Sequence, residues 1–78
     1  SVKGMYLDHT IPLGLGGDNS KKNLKLVSEA DWRKYTKIEN SLMKMVKEKK
    51  MTMKQAQKFI VDYKNGIVEV SDINSYIK

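Results

Sequence analysis

The spacing of apolar positions changes character once along the chain, from a two-residue to a three- and four-residue period. Met5-Tyr6-Leu7 opens a short extended run that leads into Asp8-His9, and Asn23-Leu24-Lys25-Leu26-Val27 alternates well enough for a second strand. Between them, Pro12 disfavours helix at Ile11, so Thr10-Ile11-Pro12 is expected to stay extended. Leu13 to Lys22 reads as a loop, with Gly16-Gly17-Asp18-Asn19-Ser20 supplying the turn residues. Two strand-like runs around such a loop predict a hairpin.

The second half has helical spacing. Trp32, Tyr35, Ile38, Leu42, Met45 and Val46 mark one face of an amphipathic helix of about five turns, fraying in Lys47-Glu48-Lys49-Lys50. Ser28 with Asp31 resembles a capping box at its start, Asp replacing the usual Glu or Gln. Thr52 with Gln55 forms a cleaner box opening a second helix, whose stripe is Met53, Ala56, Phe59, Ile60 and Tyr63 and whose stop is Asn65-Gly66. Ile67 to Val70 reads as a strand, and Ser71 as the cap of a short terminal helix through Tyr76. The expected fold is α+β: a small core of a hairpin plus a long helix, in ββα order, with an additional C-terminal helix and a short tail. All of it is one domain, residues 1–78, with the core at about 5–63.

Composition narrows the chemistry. A chain of 78 residues without Cys has no disulfide, no Cys-ligated zinc and no thiol nucleophile, and one His does not assemble a structural zinc site. Any metal is expected on oxygen ligands plus at most one imidazole. Lys and Arg number 15 against nine Asp and Glu, a net charge of +6, and the sequence pI is about 9.6. Residues 18–50 hold ten of the basic and five of the acidic residues, so nearly all the excess lies there. Such a field favours polyanions. Without a long apolar run or a signal-peptide pattern, the expectation is a soluble, intracellular, cytoplasmic module with no membrane partner. The opening Ser1-Val2, in place of Met, predicts a fragment or a processed chain.

The stretch Asp8-His9-Thr10-Ile11-Pro12-Leu13-Gly14-Leu15-Gly16-Gly17, followed by Asn23-Leu24, carries the most chemistry. It sets a carboxylate and an imidazole side by side at a strand end, where neighbouring side chains point to opposite faces. If the hairpin closes, the Asn23 side-chain or main-chain carbonyl can accept from one ring N–H of His9 and leave the other nitrogen free as a general base. Asp8 is a hard oxygen ligand suited to Mg²⁺ or Mn²⁺, and a cation beside a phosphodiester stabilises the departing oxygen.

These same residues, written Asp8-His9-x-Ile11-Pro12-Leu13-x-Leu15-Gly16-Gly17 with Asn23-Leu24, resemble the core signature of the HNH endonucleases. Glu39 and Met53-Lys54-Gln55-Ala56-Gln57 are similar to later features of the same branch, a helical Glu and an L-x-x-A-Q helix start, so the likeness spans about residues 5–63. It implies a ββα-metal nuclease fold and hydrolysis of DNA phosphodiesters with one divalent ion. Asp8 is then a metal ligand, His9 the general base and Asn23 its orienter. DNA in preference to RNA rests on the resemblance alone.

One position departs from the family pattern. A metal-ligating His or Asn usually follows the middle Asn by about nine residues, and here that place holds Trp32. Asp31 or Glu39 would have to substitute. Glu39 lies seven residues past Trp32, at the edge of the apolar stripe, where a carboxylate needs a partner or a metal. Asp31 has the alternative role of helix cap. Lys21, Lys22, Arg33, Lys34 and Lys37 are the expected phosphate contacts, giving affinity without much sequence choice.

Simpler roles exist for each residue. His9 alone suits a buried structural imidazole, Asn23 a turn brace, Glu39 an ordinary ion pair with a nearby Lys, and Trp32 and Tyr35 the core. The competing functions are a catalytically degenerate HNH-like module that binds DNA without cutting, and a basic domain that binds an acidic protein. Oligomeric state has no sequence signal.

Overall fold

Strand β1, Met5–His9, pairs antiparallel with β2, Leu24–Ser28, in a two-stranded sheet. The computed structural model describes residues 3–77, so the Ser1-Val2 opening lies outside the described residues. The register sets Tyr6 opposite Val27, Leu7 opposite Leu26, Asp8 opposite Lys25 and His9 opposite Leu24. Because side chains alternate across a pleat, Tyr6, Asp8 and Val27 share one face and Leu7 and Leu26 the other. Asp8 and Val27 are buried, while Leu7 and Leu26 stay half-exposed.

The crossing between the strands is tighter than an open loop. Pro12, at φ −63° and ψ 153°, feeds a single 3₁₀ turn at Leu13–Leu15, and a second one at Lys21–Asn23 leads into β2. Leu15 is fully buried and anchors the loop to the core. Gly16 takes φ 86°, a left-handed conformation open to glycine at no steric cost. Gly17 is needed for a different reason: a Cβ there would come within 1.8 Å of the Ile11 carbonyl oxygen.

Helix α1 runs from Glu29 to Lys47, capped by the Ser28 hydroxyl, which accepts from the Asp31 amide at 3.2 Å. The Asp31 carboxylate lies instead 3.9 Å from Lys34. Helix α2, Met53–Lys64, starts with a reciprocal box: Thr52 N–H donates to Gln55 Oε1 at 2.9 Å and Gln55 N–H to Thr52 Oγ1 at 3.1 Å. Leu15, Leu42, Met51, Ala56, Phe59 and Ile60 form the core between loop and helices. Each large side chain among them contributes about 1.5–3 kcal/mol by leaving water.

The tail departs from the expected strand. Gly66, at φ 75°, turns the chain, and Ile67 N–H then donates back to Asp62 O at 2.9 Å while Glu69 N–H donates to Asp72 Oδ2 at 2.8 Å. With those donors spent locally, Ile67–Val70 offers no ladder, and a 3₁₀ helix follows at Val70–Tyr76. Tyr76 packs edge-on against Phe59 with centroids 5.2 Å apart, and its hydroxyl donates to Asp62 Oδ2 at 2.7 Å. That bond pushes the Tyr76 hydroxyl up to about 12.

The architecture is therefore α+β: a hairpin followed by a long helix, with a second helix packed across them. No helix among the described residues is long and apolar enough to cross a membrane.

Candidate active site

Leu7, Asp8 and His9 on the hairpin, Pro12 and Leu13 on the loop, and Trp32, Thr36 and Glu39 on α1 line an open cleft of about 280 Å³. The pleat turns Asp8 inward at the end of β1, and α1 presents Glu39 from its middle. Lys64, the last residue of α2, reaches the same point. Its Nζ lies 3.2 and 2.9 Å from Asp8 Oδ1 and Oδ2, 2.5 Å from Glu39 Oε2 and 2.9 Å from the main-chain oxygen of His9. The ammonium also stands 5.0 Å from the Tyr35 ring centroid.

Asp8 is buried, and the side chains of Lys64 and Glu39 are largely withdrawn from solvent. Their side chains are 5% exposed for Lys64, 7% for Asp8 and 13% for Glu39, depths tolerated only by paired charges. Two carboxylates and one ammonium leave the cluster one negative charge in excess. Burial pushes the Glu39 carboxyl above its ordinary value; Asp8 adds to this, while the Lys64 hydrogen bond and charge oppose it.

His9 looks the other way. Its Nε2 lies 2.7 Å from Asn19 Oδ1. If that carbonyl oxygen accepts from Nε2–H, the neutral ring has its lone pair on Nδ1, the state a general base requires. Asn19 is held by a neighbouring turn, in which Asp18 Oδ1 accepts from the Ser20 amide at 3.0 Å and from the Ser20 hydroxyl at 2.6 Å. These bonds hold the Asp18 carboxyl below its ordinary value.

Asn23 has a different occupation from the one expected. Its Oδ1 accepts from Ile11 N–H at 2.8 Å, and its Nδ2 donates to Ile11 O at 2.9 Å and Asp18 O at 2.8 Å. Its main-chain oxygen accepts from Thr10 N–H at 2.8 Å. The side chain thus clamps the base of the glycine loop, and Asn19 makes the contact with the His9 ring. Asn19 sits in the Gly-Asp-Asn-Ser run that sequence reasoning assigned to turn formation.

Of the two carboxylates considered as helix-borne ligands, Glu39 joins Asp8, whereas Asp31 remains at the half-exposed first turn of α1 beside Lys34. Lys64 had no part in the sequence reading. Its signal was position: four residues after the buried Ile60 and eight after Ala56, it extends the apolar stripe of α2. Gln57, one turn earlier than Val61, also reaches the hairpin loop, donating to Leu15 O at 2.6 Å.

Trp32, which holds the place of the missing ligand, stacks on Tyr6 with centroids 5.0 Å apart and walls the cleft. With Arg33, Thr36, Lys37 and Asn40 it also lines an adjoining groove, so a basic surface continues from the acidic centre. Arg33 is engaged by Glu29 at 2.7 Å. Lys21, Lys22 and Lys37 have no ion pair among the described residues.

Among the described residues no three Asp, Glu, His or Cys side chains converge as a ligand group. The donor set at the cleft is two carboxylates and one main-chain carbonyl, hard oxygen donors of the kind Mg²⁺ and Mn²⁺ take. They already surround one positive charge, that of Lys64. No family model matches this chain, and no curated protein or solved structure matches it.

Proposed function

We propose that this chain is a metal-dependent endonuclease domain of HNH type, with a ββα-metal core, that hydrolyses phosphodiester bonds in DNA. The observation that carries this reading is the convergence of the Asp8 and Glu39 carboxylates and the His9 carbonyl on one cation, beside a His9 ring oriented by Asn19.

Asp8 and Glu39 would hold one Mg²⁺ or Mn²⁺, which when bound supplies charge neutralisation at the scissile phosphate and at the departing oxygen. His9 Nδ1 takes a proton from a water molecule, whose oxygen forms the new bond to phosphorus while the P–O bond to the leaving sugar oxygen breaks. The leaving oxygen takes its proton from solvent. Asn19 holds the imidazole in the tautomer that leaves Nδ1 free, and Asn23 fixes the loop that carries Asn19. Lys21, Lys22 and Lys37 bind backbone phosphates, with Arg33 and Lys34 available after giving up exposed ion pairs of small worth.

The test is nicking of supercoiled plasmid in Mg²⁺ or Mn²⁺, with EDTA as control. His9→Ala is expected to cut at least about 100-fold more slowly while its DNA band shift is retained. Undiminished cutting by that variant removes His9 from the mechanism.

A second reading is a DNA-binding module that does not cut. It is favoured by one observation: Lys64 already fills the acidic centre. Salt-sensitive band shifts without nicking in any divalent metal would establish it in place of the first.

A further inference from the structure

The Lys64 ammonium occupies the centre of the proposed cation site, and the geometry there bears on what loading the site requires. An ammonium has three N–H donors and no acceptor. In this cage they face Asp8, through both its oxygens, Glu39 Oε2 and the His9 carbonyl. None is left to reach a phosphate, so Lys64 in this position cannot hydrogen-bond to one. Oxygens at 2.5 to 3.2 Å from Nζ surround a single point of positive charge. The Asp8 and Glu39 carboxylates and the His9 carbonyl would hold a Mg²⁺ ion at that point, where it would supply the positive charge that Lys64 supplies now. A divalent ion balances both carboxylates alone, and Lys64 beside it would leave a buried positive charge unpaired.

We propose that Lys64 is an internal competitor for the divalent cation: the Asp8–Glu39 pair is held either by the Lys64 ammonium or by a metal ion, and loading the site expels the Lys64 side chain. The inference rests on the cation site of the proposed function and adds its regulation. Lys64 is the last residue of α2, followed by Asn65 and the left-handed Gly66, and the rotatable bonds of its long stem give it a way out of the cage. The closed state has its own use. Without metal, Lys64 joins β1, α1 and the end of α2, keeping two buried acids from repelling each other and holding the site in shape.

The test uses Lys64→Met, close in volume and uncharged, with metal binding and stability as readouts. By calorimetric titration with Mn²⁺ at neutral pH, Lys64→Met is expected to bind at least about tenfold more tightly than wild type, since no ammonium has to be displaced. In EDTA its melting temperature is expected to fall by about 10 °C or more, because two acids lose their partner. Saturating Mn²⁺ should return most of that loss, while wild type gains only a few degrees. Lys64→Gln, which can hydrogen-bond to both carboxylates, gives the same affinity comparison if the Met variant does not fold. Mn²⁺ affinity equal to or weaker than wild type in the folded variant, or no binding by either protein, overturns the proposal. These readouts are independent of cutting. Tighter Mn²⁺ binding by a protein that never nicks DNA would sink the nuclease reading alone, whereas a wild type that cuts, paired with a variant of unchanged Mn²⁺ affinity, would sink the competitor alone.

Discussion

The glycine loop and the acidic centre are built by opposite strategies. At the glycine loop, His9, Asn19, Asn23 and Asp18 are held by contacts spanning two to 12 residues, through side-chain amides, backbone groups and one exposed carboxylate. At the acidic centre, Asp8, Glu39 and Lys64 meet across separations of 25 and 56 residues, through buried charges. The loop closes short chain segments, so ordering it costs little. The acidic centre forms only when hairpin and both helices have docked, and each of its charges depends on the others to be buried at all. The first is a local template for orienting an imidazole; the second is a product of the whole fold.

The largest effect on the loop is expected at Asn23. Asn23→Ala deletes three side-chain hydrogen bonds and strands the Ile11 amide and carbonyl, so a loss of about 3 kcal/mol is expected in urea unfolding. A loss under about 1 kcal/mol would mean that the loop is not clamped there. Asn19→Ala should separate orientation from stability. Under the proposed function it slows cutting by about tenfold through the His9 tautomer, with unfolding changed by about 0.5 kcal/mol or less. If Asn23→Ala, corrected for unfolded protein, slows cutting and Asn19→Ala does not, the orienting role belongs to Asn23 after all.

The smallest effect is also the most discriminating, because the two regions titrate with opposite signs. Asp18 is held below its ordinary value, so the stability it contributes is present above the ordinary Asp range and is lost as pH falls through the depressed value. Glu39 is held above its ordinary value, so the folded state binds the proton more readily than the unfolded one. Its contribution therefore falls as pH rises from the ordinary Glu range through the raised value. Urea midpoints measured from pH 3 to 7 should show Asp18→Asn flattening the acid-side loss, while Glu39→Gln removes a component that declines with rising pH. Equal slopes in the two variants would erase the electrostatic difference between the loop and the acidic centre.

The legible parts were those in which neighbours in the chain decide the outcome. Alternation in Leu24–Val27, the Thr52 and Gln55 box and the stripe from Trp32 to Val46 each report a local preference that tertiary packing reinforced. Ile67–Val70 carried an equally apolar pattern, yet a strand needs a partner, and the donors of Ile67 and Glu69 were taken by Asp62 and Asp72. Asn23 was legible as a residue with work to do in the loop, but its partner was not. The small turn at Asp18 and Ser20 decides which of two asparagines faces His9.

By itself, then, the sequence determined the hairpin, the two helices with their caps, the basic charge and the adjacency of Asp8 to His9, because each follows from spacing, turn chemistry or composition within a few residues. Only the tertiary structure decided that Glu39 in preference to Asp31 comes to Asp8, and that Lys64 closes the group. A cation at the far end of another helix is drawn to two buried acids by long-range Coulomb attraction and by the cost of leaving any of them unpaired. Neither force leaves a local pattern along the chain.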